Sequence, residues 1–356
     1  MTLGVSFGFF PTNCFYKELT AVSLQTTRTA DIPVAWKEIT ARYQTPNTFR
    51  SLSEIATTLA LYAVMWIVMY WSLGVSYLLT LVLSFFTALF KVRVFVIMHD
   101  CGHGSFFKSQ KLNDRFGAVL GVLVFTPFFH WKNAHAMHHA TSGNLDRRGF
   151  GDVWMLTVEE YRALSPWRKL GYRIYRHPAF LFLAGAPFNF LVIHRTRFPS
   201  PGDPARARMS VHGTTLALLG YVAGMISLMG WREYLLVQAP VFYVATIIGV
   251  WLFYVQHQFK ATYWSRDEDW NHTTACLLGS SFYKLPRWLA WWTGNIGIHH
   301  IHHLSPKIPS YRLPQASKDS AFAGGTTLTL WTGLESLKLR LWDEKLGRMV
   351  GFKRAT

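Results

Sequence analysis

The side chains in this sequence best suited to chemistry are histidines. The chain contains 15 histidines, and nine of them fall in three windows of five residues. We call these windows box 1 (His99-Asp-Cys-Gly-His103), box 2 (His135-Ala-Met-His138-His139) and box 3 (His299-His300-Ile-His302-His303). Neutral imidazole is a good ligand for iron, zinc, copper and nickel. Because packing alone does not require three such windows, we interpret them as metal-ligating groups.

The spacing within each box is that of one helical face. Residues at i, i+3 and i+4 of an α-helix project to the same side. His300 lies about 100° around the axis from His299, so we predict that it is not a ligand. Eight imidazoles remain, which exceed the coordination sphere of one metal ion and predict two ions. The predicted ligands are His99, His103, His135, His138, His139, His299, His302 and His303.

Two further residues are candidates for the same site. His257 lies at the end of an apolar stretch, as box 1 does, so we predict it as a ninth ligand. Asn295 precedes His299 by four residues, and on a continuous helix it would share that face and hold a metal-bound water or contact a ligand. Single histidines usually have structural roles, and we assign such roles to the others: His130, His177, His194, His212 and His272.

The elements that position the boxes are apolar helices. Half of the residues are hydrophobic and only 15% are charged, against about 25% in soluble domains. A membrane span needs about 20 apolar residues, and four stretches meet that length. They cover residues 55–74, 76–98, 211–230 and 234–256. We predict an all-α integral membrane protein with four transmembrane helices, arranged as two hairpins, and a cytoplasmic histidine-rich helical cap.

The distribution of basic residues predicts the orientation of these spans. Of the 36 Lys and Arg residues, all but Arg232 fall on the side of the boxes. Cytoplasmic loops carry the excess of basic residues, so we expect a multi-pass protein with the boxes and both termini in the cytoplasm. The predicted organisation is a cytoplasmic segment 1–54, a membrane domain 55–315 and a cytoplasmic tail 316–356.

Three weaker segments complete this prediction. Residues 116–129 and 178–193 are apolar but short, and we interpret them as helices half embedded in the membrane interface rather than as spans. Residues 331–350 have Leu334, Leu337, Leu341 and Trp342 at near-helical spacing among basic residues. We therefore predict a basic amphipathic helix over this part of the tail.

Composition and motifs exclude several other classes of protein. The net charge of +17 could attract nucleic acid, but nucleic-acid-binding proteins rarely carry long apolar spans. Three scattered cysteines form neither a disulfide framework nor an iron–sulfur motif. A metal transporter is a distant alternative, because ion paths place ionisable residues at mid-membrane and the boxes lie at the ends of the spans.

The boxes and their surroundings resemble the membrane fatty acid desaturases. The shared text is His99-Asp-Cys-Gly-His-Gly-Ser-Phe-Phe, His138-His-Ala-Thr-Ser-Gly-Asn and Gly294-Asn-Ile-Gly-Ile-His-His, over roughly residues 50–315. The gap within box 1 is similar to that of the acyl-lipid branch and of its omega-6 (delta-12) type. Each box is a weak motif by itself, whereas three in this order are specific.

The resemblance implies a di-iron enzyme that uses O2 to introduce a cis double bond into a long acyl chain, and the acyl-lipid branch implies that this chain is lipid-linked. The eight box histidines would hold the iron, with His257 as the further ligand. An unactivated methylene has no acidic proton and no leaving group, so its oxidation is metal chemistry.

A hydroxylase or ketolase that acts on a lipid, alkane or carotenoid is the alternative on this scaffold. The sequence lacks a haem or dinucleotide motif, so electrons would come from a separate donor such as an acidic ferredoxin.

Overall fold

The computed structural model describes residues 36–149, 151–196, 204–322 and 324–355. Of the predicted N-terminal segment, residues 1–35 lie outside this part of the chain. A short helix α1 (Trp36–Ala41) precedes the first long pair, α2 (Thr48–Ser72) and α3 (Tyr77–His103). Helix α2 begins after Asn47, whose side chain accepts a hydrogen bond from the Arg50 amide and so satisfies one of the free N–H groups of the first turn.

Helix α3 is longer than a bilayer requires. Its 27 residues extend over about 40 Å, whereas the hydrocarbon layer is about 30 Å thick. Box 1 occupies its last five residues, and the helix ends at Gly104, which adopts the left-handed conformation at φ 63°. Because L side chains rarely adopt this conformation, a substitution at Gly104 would be strained.

Box 2 lies on the second arm of a bent helix pair. Helix α4 (Gln110–Leu123) and helix α5 (Phe128–Thr141) meet at 104° around Pro127. The chain then forms strand β1 (Leu156–Thr157), α6 (Val158–Ala163) and α7 (Pro166–Tyr175). A π-helical turn (Ala179–Gly185) leads into α8 (Ala186–Leu191). The two short apolar stretches of the sequence thus lie in bent helix pairs, the second of which bends by 66°.

The second long pair consists of α9 (Pro204–Met229) and α10 (Trp231–His257). Gly230 joins them at φ 90°, a conformation that L side chains rarely adopt. Within the described residues, α2, α3, α9 and α10 are the four helices long and apolar enough to cross a membrane, or up to six spans if each bent pair counts as one. The prediction of a helical protein with four such helices is confirmed.

The C-terminal third covers the histidine end of these helices with short elements. The helices are α11 (His272–Leu278), α12 (Arg287–Trp292), α13 (His299–Leu304), α14 (Leu313–Ala316) and α15 (Leu330–Gly333). The strands are β2 (Phe282–Tyr283), β3 (Thr327–Leu328), β4 (Leu341–Asp343) and β5 (Arg348–Val350). Strand β2 pairs in parallel with β3, and β4 lies between β1 and β5.

The predicted amphipathic helix over residues 331–350 was wrong. Helix α15 ends at Gly333, a 3-10 turn follows at Leu334–Lys338, and β4 and β5 form an antiparallel hairpin whose turn contains Gly347 at φ 57°. Strand β4 also pairs in parallel with β1, which lies far away in sequence. Tertiary pairing therefore overrides the local helical periodicity in this segment.

Helix α3 is the central element of the membrane domain, packed between α2, α4 and α10. Two-thirds (67%) of its most apolar window is buried, against 11% for α9, which leaves α9 with the more exposed apolar surface. The buried Arg93 of α3 forms an ion pair with Glu54 of α2 and donates to the Trp291 carbonyl. Pairing is the usual condition for a buried charge, and here it ties α2 and α12 to the helix that ends in box 1.

Candidate metal centre

The imidazoles of the three boxes converge in two groups. The first histidine group takes residues from all three boxes, and its ligand atoms all lie within 4.8 Å of one another. Its Nε2–Nε2 separations include 3.3 Å for His99 and His103 and 3.1 Å for His135 and His139. The Nε2 of His302 lies 3.2 Å from that of His139. The members of this group are His99, His103, His135, His139 and His302.

The second histidine group consists of His138, His257 and His303, all of which are buried. The Nε2 atoms of His138 and His257 are 3.2 Å apart. His299 lies beside this group, with its Nε2 2.9 Å from that of His257. The structure therefore brings His257, the last residue of α10, together with the residues of boxes 2 and 3.

These separations are those expected for nitrogens that share one metal ion. An imidazole nitrogen binds a first-row metal at about 2.1 Å. Two such ligands at right angles are then about 3.0 Å apart, and at the tetrahedral angle about 3.4 Å apart. The nearest pairs in the two histidine groups, at 3.1–3.3 Å, lie close to this range, and so does the 2.9 Å separation between His257 and His299. Each histidine group could therefore hold a metal ion.

Unpartnered nitrogens within the groups support this fit. Both ring nitrogens of His303 are buried without a hydrogen-bond partner, as are the Nδ1 atoms of His139 and His299. Buried polar atoms almost always have a hydrogen-bond partner, so the unpartnered ring nitrogens of His303 point to a ligand role. Burial, followed by the neighbouring imidazoles, holds the pKa of His139, His302 and His303 well below the usual histidine range. These rings are therefore neutral, as metal binding requires.

Several ligand rings are oriented through their second nitrogen. The Nδ1 of His99 contacts the Asp100 carboxylate at 3.2 Å, and the Nδ1 of His138 contacts the carboxylate of Asp152. The Nδ1 of His257 faces the Gly279 carbonyl at 3.3 Å. Such partners fix the tautomer and turn Nε2 toward the metal. None of these three partners was predicted from the sequence: Asp100 stands inside box 1, but Asp152 lies in a loop with no motif around it.

Two aromatic rings enclose the histidine groups. The indole of Trp131 stacks on His135, with ring centroids 4.5 Å apart and planes inclined by 16°. The ring centroid of Phe253 lies 5.1 Å from those of both His138 and His257. These side chains limit the access of water to the imidazoles and restrict their rotation.

His300 and Asn295 lie outside both histidine groups. His300 faces the Phe322 carbonyl with its Nε2 at 3.3 Å, and burial lowers its pKa to about 4, against the opposing effect of that hydrogen bond. Asn295 is not on the helix of His299, because α13 begins at His299 and Asn295 has a positive φ of 59°. The assumed helical geometry for Asn295 was wrong. Its side chain donates to the Ser310 carbonyl at 3.5 Å, and Ser310 in turn donates its amide to Asp100.

The five histidines assigned structural roles also lie outside both groups in the part of the chain that the structure describes. His194, for example, contacts the Asn189 side chain at 3.3 Å, and His272 packs against Cys276. The division between box histidines and single histidines made from the sequence therefore agrees with the geometry.

Known proteins place this arrangement in a family. The family model described as "Fatty acid desaturase" matches residues 75–332. A Bacillus subtilis protein named "Fatty acid desaturase" is 46% identical over 314 residues, which cover 88% of this chain and 89% of the relative. This chain belongs to the fatty acid desaturase family. It is therefore an oxidoreductase of membrane lipids with histidine groups able to bind metal, and the alternative of a metal transporter is not favoured.

More distant relatives carry more specific names. An "sn-1 oleoyl-lipid 12-desaturase" of Synechocystis is 28% identical over 230 residues, 62% of each chain. An "sn-1 acyl-lipid omega-3 desaturase (ferredoxin)" of the same organism is 28% identical over 245 residues, 63% of this chain and 62% of the relative. The predicted resemblance to the acyl-lipid branch is confirmed, whereas the distant relatives differ among themselves in the position of the double bond.

Proposed function

We propose that this desaturase binds two iron ions and uses O2 to introduce a cis double bond into a lipid-linked acyl chain. The convergence of imidazole Nε2 atoms in two groups carries the proposal. An all-imidazole ligand set brings no negative charge to the ions and leaves them electron-poor, as an oxidising centre requires. The distant relatives named for acyl-lipid substrates support the substrate class.

The proposed ligands are divided between the two histidine groups. The first group would hold one ion, and the second group together with His299 would hold the other. When bound, the iron would supply the oxidising power that removes hydrogen from an unactivated methylene. The residues of the chain keep the imidazoles neutral, aim Nε2 inward through Asp100 and Asp152, and limit the access of water through Phe253 and Trp131.

Metal analysis tests the cofactor separately from activity. We expect purified protein to contain two irons per chain, because eight box imidazoles and His257 exceed one coordination sphere. Protein that contains only zinc, or full activity with a single metal ion, would contradict the di-iron proposal.

Product analysis tests the reaction. The chain is expressed in a host of known fatty-acid profile, and its lipids are examined by mass spectrometry. We expect products that have lost two hydrogens, with a cis double bond at the delta-12 (omega-6) position that the box 1 gap favours. A product that has gained oxygen would instead identify a hydroxylase. A cis bond at another position would refute the regiochemistry and leave the desaturase intact.

The proposed orientation places the histidine groups and both termini in the cytoplasm, where a separate donor such as a ferredoxin supplies electrons. Basic residues at the histidine end of the spans support this orientation. A tag at either terminus, or inserted near residue 200, which lies outside the described residues, should be cytoplasmic. A tag between Gly74 and Ser76 should be on the far side. Termini on opposite faces would contradict the four-span arrangement.

A further inference from the structure

The two histidine groups differ in their access to the surface. His103 and His135 of the first group are only partly buried, whereas all three members of the second group are buried. An electron carrier that docks on the protein can therefore approach the first group more closely than the second. The surface around His103 is consequently the place to look for a docking site.

An exposed lysine marks this surface. The ammonium of Lys307 donates a hydrogen bond of 2.8 Å to the carbonyl of His103. The same ammonium lies 3.3 Å from the position that a Cβ would take at Gly104. The Oε1 atom of Gln110 lies 2.6 Å from that position. Lys307 and Gln110, the first residue of α4, therefore both lie beside Gly104 at the end of box 1.

The loop before α4 and the first two turns of α4 add three more cations. Lys108, Lys111 and Arg115 are exposed, and they form no ion pair within the described residues. The loop before α4 is held in place by the buried Asn113, which accepts from the Phe107 amide and donates to the Phe107 carbonyl. The basic side chains thus project from a fixed backbone beside box 1. We call Lys108, Lys111, Arg115 and Lys307 the box 1 basic surface.

The one carboxylate within this segment is already compensated. Asp114 accepts from Lys132 at 3.0 Å and from Arg206 at 2.8 Å. These hydrogen bonds hold the pKa of Asp114 below its usual range although burial acts in the opposite direction. The positive charge of the surrounding lysines is therefore available to a partner.

Basic residues near the second histidine group are arranged differently. Arg266 pairs with both Asp146 and Glu344, and Arg147 pairs with Asp267. Each of these guanidinium groups is satisfied within the chain. These two arginines therefore differ from Lys108, Lys111 and Arg115, which are exposed and form no ion pair within the described residues.

We propose that the box 1 basic surface binds a small acidic one-electron carrier protein and delivers its electrons to the first histidine group. This inference rests on the proposed function. Conversion of –CH2–CH2– and O2 to –CH=CH– and two waters takes two hydrogen atoms from the substrate, which supply two electrons and two protons. Two further electrons and two protons come from outside, so the carrier docks once for each electron. Complementary charge steers such encounters and raises the association rate about tenfold or more at low salt.

The test compares two reductants and two double variants of equal charge change. Lys108→Glu/Lys111→Glu reverses two of the four cations of the box 1 basic surface and so neutralises it. Lys345→Glu/Arg348→Glu reverses two exposed cations on the β4–β5 hairpin, whose Glu344 pairs with Arg266. Turnover is measured with a reduced plant-type [2Fe–2S] ferredoxin and, separately, with dithionite.

We expect the first double variant to lower the ratio of ferredoxin-driven to dithionite-driven kcat/KM about tenfold or more at low salt, with recovery toward the wild-type ratio at high salt. The hairpin variant should keep the wild-type ratio. An equal fall in both variants, or an unchanged ratio in the first, would overturn the proposal.

A fall of the first variant with both reductants, dependent on anionic lipid in the vesicles, would assign the surface to the membrane and likewise refute carrier docking. Failure of the proposed function has a different signature, because wild-type protein would then show no desaturation with either reductant.

Discussion

His138 and Asp152 are joined by a hydrogen bond of 2.6 Å between Nδ1 of the ring and Oδ1 of the carboxylate. The side chain of Asp152 is 9% exposed, and its other oxygen has no hydrogen-bond partner. The carboxylate is thus dedicated to one imidazole of the second histidine group. It fixes the proton on Nδ1 and leaves Nε2 free for metal.

Replacing Asp152 should weaken the metal site without unfolding the protein. We expect Asp152→Asn to lower iron affinity or activity about 10- to 100-fold, because the amide can present the wrong hydrogen-bonding group to Nδ1. Iron content and turnover of the purified variant provide the measurement. Glu159→Gln removes the same charge from an exposed position of α6 and serves as the control. Wild-type iron content in both variants would refute the role of Asp152.

His257→Ala should abolish most of the activity while the protein still inserts and accumulates. The Nε2 of His257 lies 3.2 Å from that of His138 and 2.9 Å from that of His299, so its loss removes the link between them. Activity and membrane-bound protein are measured in the same preparation. Near-normal activity would show that His257 is a packing residue at the end of α10.

Box 3 should tolerate alanine at one of its four histidines. We expect alanine at His299, His302 or His303 to abolish activity and iron binding. His300→Ala should keep a substantial part of both, because His300 faces the Phe322 carbonyl and lies outside both histidine groups. An inactive, iron-free His300→Ala protein would mean that the ligands within box 3 are chosen wrongly.

Glu54→Gln should destabilise the membrane domain. It would leave Arg93 buried without its counter-charge, a change that costs about 3–5 kcal/mol when one partner of a buried pair is removed. The thermal unfolding midpoint in detergent should fall clearly. Glu38→Gln, on an exposed position of α1, removes the same charge and should leave the midpoint unchanged.

The buried cysteine behind box 3 should resist alkylation. Burial raises the pKa of Cys276 to about 12, so the thiol stays protonated at neutral pH, and Sγ donates to the His303 carbonyl at 3.2 Å. In a Cys14→Ser background, iodoacetamide at pH 8 should modify native protein only after denaturation, as followed by mass spectrometry. Rapid modification of Cys276 in the native state would contradict the burial.

The sequence was sufficient for features that depend on local periodicity. Spans of about 20 apolar residues predicted α2, α3, α9 and α10, and i, i+3, i+4 spacing predicted which box histidines converge. The same spacing sets His300 apart from the other three histidines of box 3, and His300 lies outside both histidine groups. In these segments the pattern and the tertiary environment favour the same structure.

Features that depend on distant contacts could not be predicted in this way. Asp152 reaches His138 from a loop, and no spacing rule connects them. Strand β4 forms because Leu341 and Trp342 pair with residues of β1, although their own spacing is near-helical. Asn295 was misplaced because the helix of box 3 was assumed to begin before His299. Each case requires knowledge of which segments meet.

The length of α3 and α10 has a consequence for the lipid itself. Each helix has 27 residues, about 10 Å more than the hydrocarbon layer needs, and its histidines stand at the far end. An acyl chain that reaches them must be withdrawn from the bilayer. Each methylene exposed to water on that path would cost about 0.8 kcal/mol, so the protein must enclose the acyl chain along the whole path. A thicker bilayer would shorten this path and a thinner one would lengthen it, so we expect turnover to depend on the thickness of the surrounding membrane.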